Sequence, residues 1–147
     1  MLDYARRQKL LTRYQSERIK NLLSEQDKNR QQLNDSLYKL RHSEIVLNIH
    51  HALSKGIAIR ENEWADINCA FQEHLPSFEK TLLVIHELSQ VEWRVCMLLK
   101  LGFVSSDIAK LVNKSSTTIP SIRSRLYSKF FLKKGRAADW DSFVDSI

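Results

Sequence analysis

Apolar positions along residues 1–54 recur at alternating steps of three and four. Ile19, Leu23, Leu33, Leu37, Leu40 and Leu47 share one such register, the spacing of a helix that buries a narrow seam. Gln26, Arg30 and Glu44 fall in the same seam and interrupt it. The stretch holds no Gly or Pro, and helix-forming residues fill the other positions. The pattern predicts one long helix over residues 1–54 with an imperfect coiled-coil stripe. A helix with so little to bury is unstable alone in water. Pairing with a second copy is therefore expected, with Ile19, Leu23, Leu33, Leu37 and Leu40 as the dimerisation seam. A helix folded back on its own domain is the alternative. The pattern is already running at Met1 with no cap before it, which points to a longer parent chain.

Further along, the apolar positions thicken at Ile45, Val46, Leu47, Ile49 and Leu53, where the helix is expected to join a globular body, and Gly56 is its natural end. Trp64, Ile67, Ala70 and Phe71 mark one face of a helix over Glu61 to His74. Leu75-Pro76 ends that helix, because a residue before proline disfavours helical backbone. Ser77 is expected to cap a short helix carrying Phe78, Leu82, Leu83 and Ile85. Residues 55–87 thus form a helical collar without evident chemistry.

Residues 88–131 predict three short helices. Ser89 and Glu92 have capping-box spacing, with Leu88 and Trp93 placed as a hydrophobic staple. Val95, Cys96, Leu98, Leu99 and Leu101 supply the buried stripe, and Gly102 closes the first helix. Ser105 or Ser106 is expected to cap the second, with Ile108, Leu111 and Val112 facing inward. Asn113-Lys114-Ser115 is the turn into the third. There Ile119, Ile122, Leu126 and Phe130 form the inner stripe, leaving Thr117, Ser121, Ser124 and Ser128 opposite, with Pro120 and Arg125 at the margins. Pro120 disfavours a helical Ile119, so this helix is expected to start late or to kink. A final amphipathic helix carries Trp140, Phe143 and Ile147.

Charge sharpens this picture. The chain carries a net +6, yet residues 100–136 alone carry +8, and the rest is −2. The cations are Lys100, Lys110, Lys114, Arg123, Arg125, Lys129, Lys133, Lys134 and Arg136, against the single acid Asp107. Concentration on one segment is the electrostatic footprint of a polyanion partner. A helix face of small hydroxyls flanked by Arg suits the major groove, with lysines at its ends for phosphates. The candidate DNA-binding residues are Lys114, Ser116, Thr117, Thr118, Ser121, Arg123, Ser124, Arg125, Lys129 and Lys133.

Residues 88–130 resemble the DNA-binding domain of LuxR/NarL-type bacterial transcription regulators. The family's opening L-t-x-x-E-x-x-V corresponds to Leu88, Ser89, Glu92 and Val95. Its x-x-x-E-I-A-x-x-L corresponds to Asp107, Ile108, Ala109 and Val112, and its T-V-K-x-H-x-x-x-I-x-x-K-L to Thr118, Ile119, Pro120, Ile122, Leu126, Lys129 and Phe130. A subgroup in which a coiled coil joins a sensor, often of tetratricopeptide repeats, to this domain is more similar still. Its phrase R-V-C-x-L-x-K-L-G-F matches Arg94 to Phe103, and S-I-R-x-R-L-Y-x-K matches Ser121 to Lys129. The resemblance covers roughly residues 40–147; with a composition of helix-formers and only three Gly and two Pro it gives an all-α expectation: a long coiled-coil helix over 1–54, the collar over 55–87, and a LuxR-type helix-turn-helix domain over 88–147. The family's DNA-touching Lys is Pro120 here, which shifts base reading toward Ser121, Ser124 and Arg125.

Other functions fit less well. The histidines His42, His50, His51, His74 and His86 share no ligand spacing, and no phosphate-cradling glycine loop exists. Neither an enzyme nor a cofactor is expected. Two lone cysteines, Cys69 and Cys96, among apolar neighbours read as reduced, buried thiols of a cytoplasmic protein. The reading is a homodimeric regulator of double-stranded DNA without membrane contact. The rival is a helix-turn-helix fold that docks on another protein, such as RNA polymerase.

Overall fold

The computed structural model describes residues 2–147; Met1, where the helical pattern begins, lies outside the described residues, as do the side chains of Leu2 and Ile85. Eight helices and, among the described residues, no strand make up the chain, so the all-α expectation holds. They are α1 (Leu2–Arg41), α2 (Glu44–Ser54), α3 (Glu61–His74), α4 (Pro76–Ile85), α5 (Gln90–Lys100), α6 (Ser105–Leu111), α7 (Thr118–Phe131) and α8 (Ala137–Ser146).

Two compact units divide the chain, residues 2–36 and Leu37–Ile147. The first is helix alone. Among the described side chains its large apolar residues, Tyr4, Leu10, Leu11, Tyr14, Ile19, Leu22, Leu23 and Leu33, are all exposed.

The second unit opens where the expected long helix breaks. Ser43 is extended (φ −74°, ψ 160°), its hydroxyl donates to the Leu40 carbonyl at 2.6 Å, and α2 starts afresh behind it. A register cannot cross such a break, because the residues outside the helix change its phase. Val46 and Ile49 therefore face the core, while Leu47 is 60% exposed. Leu40 is buried at 1% exposure in its own chain's core, and Leu37 packs partly against that core. These two residues of the expected dimerisation seam thus have a partner already, and the unpartnered stripe ends at Leu33.

α3 has the expected bounds, and Trp64, Ile67, Ala70 and Phe71 are its buried face. α4 begins two residues earlier than expected, with Leu75 in the capping place given to Ser77. Pro76 itself occupies the first helical position, where its missing N–H has no intrahelical acceptor to lose. Phe71, Phe78 and Trp93 pack with tilted and edge-on rings at 5.5–6.4 Å between centroids, and the Trp93 indole N–H donates to Asn68 Oδ1 at 2.8 Å. Collar and C-terminal helices therefore share one core. Residues Leu37–Ile147 form one compact unit that spans the positions 54/55 and 87/88.

The capping box of α5 forms reciprocally. The Glu92 N–H donates to Ser89 Oγ (3.2 Å), and the Ser89 N–H donates to Glu92 Oε1 (2.8 Å). At its other end Gly102 is left-handed (φ 94°), and Phe103 N–H reaches back to Leu98 O at 3.1 Å. The end of α6 uses the same device with Asn113 in the glycine place (φ 57°) and Lys114 N–H on Ala109 O at 2.9 Å. This pairing satisfies carbonyls that a helix end leaves orphaned. The start of α6 departs from expectation: Val104 is the extended residue before it, and Ser105 is already helical. The Ser105 hydroxyl has another use, described below.

Candidate nucleic-acid interface

α7 organises the basic segment. Ile119, Ile122, Leu126 and Phe130 are buried as the spacing predicts, so the opposite surface is fixed outward. Pro120 neither delays nor breaks the helix. It is the third helical residue, inside the first turn, where backbone N–H groups have no intrahelical acceptor.

The fold sorts the nine cations of residues 100–136 into two kinds. Lys100 is buried (5% exposed), and its ammonium donates to the Val144 carbonyl at 3.2 Å. Burial holds its pKa below the ordinary lysine value, opposed by the Asp145 carboxylate. Arg123 is the second inward cation. Its Nε donates to Asp141 Oδ1 at 2.9 Å, a second nitrogen meets Asp141 Oδ2, and a third donates to Ser105 Oγ at 3.0 Å. With its side chain 12% exposed, Arg123 clamps α7 to α8 and α6. Three of the five N–H donors of Arg123 are thus engaged with protein, a scaffolding role that its expected place among the DNA-binding residues did not include.

Lys110, Lys114, Arg125, Lys129, Lys133, Lys134 and Arg136 are exposed. Three of them meet at an open groove of about 540 Å³ between the start of α5 and α7. Ser89, Val91 and Glu92 form one wall, and Thr118, Ile122, Arg125 and Lys129 the other, with Lys114 at the end. Glu92 is the acid lining it, and its carboxylate accepts the capping N–H of Ser89. The Lys129 ammonium donates to the Glu87 carbonyl at 3.0 Å, which holds the side chain along the rim.

The remaining expected site residues are scattered. Ser116 and Thr117 are exposed in the connection before α7, and Thr118 is half-buried with its hydroxyl 2.6 Å from Ser115 Oγ. Ser121 is exposed and donates to the Thr117 carbonyl at 3.2 Å. Ser124 is half-buried, and its hydroxyl donates to the Gly135 carbonyl at 2.9 Å. Lys133 lies over the Tyr127 ring at 6.0 Å. That ring also explains Gly135, where an added Cβ would sit 1.9 Å from Tyr127 Cδ1. Lys134, read from the sequence as a phosphate contact at the helix end, is exposed, whereas Lys110 and Arg136 were given no contact although their charge was part of the signal. Sequence reasoning read Ser89 and Glu92 only as caps, since nothing in spacing shows that α5 faces α7.

Such a surface can hold anions. Among the described residues no three His, Cys, Asp or Glu side chains gather as metal ligands, and no helix is long and apolar enough to cross a membrane. Cys96 is buried, and burial pushes its thiol up to about 12, against a smaller opposing effect of Trp140. Cys69 is exposed, contrary to expectation, because α3 turns its Trp64–Phe71 face inward and Cys69 away. Comparison with protein families, with curated proteins and with solved structures gives no match for this chain.

Proposed function

We propose that this chain is a DNA-binding transcription regulator of the LuxR/NarL type, with α6 and α7 as its helix-turn-helix and α7 in the major groove. The observation that carries the reading is the exposed basic surface around α7, with Lys114, Arg125 and Lys129 converging on one groove. Lysines and arginines without carboxylate partners keep their charge for phosphates, whose neutralisation releases counterions and drives binding. The residues 2–36 supply the dimer, through the exposed stripe of Ile19, Leu23 and Leu33. Two heads on one dimer favour a two-fold related operator.

The test is binding to random-sequence duplex DNA as a function of salt. Each phosphate neutralised contributes about −0.9 to the slope of log affinity against log salt. Changing Lys114 and Lys129 together to Ala is expected to flatten the slope by about 1.8 and to leave the fold intact. An unchanged slope and affinity would remove DNA as the partner.

A further inference from the structure

We infer that Arg125 reads a guanine base edge and so sets the sequence preference of α7. The inference rests on the DNA-binding reading above and adds the group that reads. It follows from what the fold has done with several of the other donors on this helix, and from Arg125 being the one donor group among the rest that forms a planar fork. Arg123 is taken by Asp141 and Ser105, Ser124 by the Gly135 carbonyl, and Ser121 by the Thr117 carbonyl. Pro120 offers no donor at all. Arg125 is exposed, and among the described residues it has no hydrogen bond or ion pair. It is thus the one guanidinium of α7 with all five donors unspent.

Its surroundings divide the labour. Lys129 follows it by one helical turn and Lys114 precedes the helix, both lining the same groove. Lysine ammoniums are point charges suited to phosphate, whereas a guanidinium is a planar fork that matches guanine O6 and N7 in the major groove. The acid in this groove, Glu92, accepts the capping N–H of Ser89, and among the described residues it makes no ion pair with Arg125. One arginine per head gives one strongly specified guanine per half-site, with weaker preference elsewhere.

The experiment selects binding sites from a random duplex library with the full chain, in parallel for wild type, Arg125→Lys and Arg125→Ala. Circular dichroism verifies the fold of each. The expected result is a guanine enriched in the wild-type sites and lost in both variants, a fall in preference of roughly 5- to 150-fold, while affinity for random duplex changes little in Arg125→Lys. Retention of the guanine by Arg125→Lys, with uniform weakening in Arg125→Ala, would assign Arg125 to a phosphate and overturn the inference. Wild-type binding without any enriched guanine would also overturn it and leave DNA binding standing. No binding to any duplex would end both readings.

Discussion

At the scale of single residues, the informative positions are those where a local rule is broken or a titrating group is hidden. Leu132 ends α7 in the left-handed region (φ 55°) although it is 88% exposed. A β-carbon there costs roughly 1–2 kcal/mol, and an exposed leucine recovers little by packing. Leu132→Gly is expected to stabilise by about 1 kcal/mol, less glycine's own entropy cost, raising Tm by about 2–4 °C in a thermal melt. An unchanged or lower Tm would show that Leu132 has a contact worth more than the strain. Cys96 gives a pH dependence. Its thiol shifts from 9.0 unfolded to about 12 folded, so between these values the folded chain holds a proton that the unfolded chain has lost. Stability therefore falls as pH rises through that window, by about 4 kcal/mol across it. Lys100 acts oppositely: its lowered pKa makes stability rise with pH just below 10.5. Cys96→Ala isolates the thiol. It starts less stable at pH 8 because of the cavity, and urea unfolding at pH 11 is expected to show the deficit narrowed. Parallel pH profiles would refute the assignment.

At the scale of elements, the sequence is most legible where one helix carries its own instructions. α3 matches its expected bounds, α5 has the expected capping box, and the inner stripe of α7 is buried residue for residue. Periodicity and caps are local, so local reasoning reaches them. The same reasoning overruns at Ser43, because Leu37, Leu40 and Leu47 keep a regular spacing across a break that only the packing of Val46 and Ile49 requires. It also assigns Arg123 outward, since Asp141 lies 18 residues away and no spacing announces the pair. The capping box of α5 is expected to matter as a unit. Ser89→Ala or Glu92→Ala alone should each cost about 1 kcal/mol in chemical denaturation. The double variant should cost clearly less than the sum, since each change already breaks the reciprocal arrangement. Strict additivity would mean the two bonds act independently.

At the scale of the whole molecule, the chain consists of a packed unit, Leu37–Ile147, and a helical segment, residues 2–36, that leaves its apolar side chains to solvent. Composition and charge made the basic segment visible, but not which of its cations the fold would consume. The exposed stripe makes a prediction about assembly. Changing Ile19, Leu23 and Leu33 together to Glu is expected to convert a dimer to a monomer in sedimentation velocity, with loss of helical signal from residues 2–36. A variant that sediments like wild type would take the stripe out of the assembly. The inward turn of Lys100 and Arg123 has a consequence for how this surface can change over time. Because those two cations do the scaffolding, the solvent-facing Lys110, Lys114, Arg125, Lys133 and Lys134 carry almost none of it. They can be exchanged one at a time at little thermodynamic risk, so the chemistry of this surface is free to drift while the body that carries it stays the same.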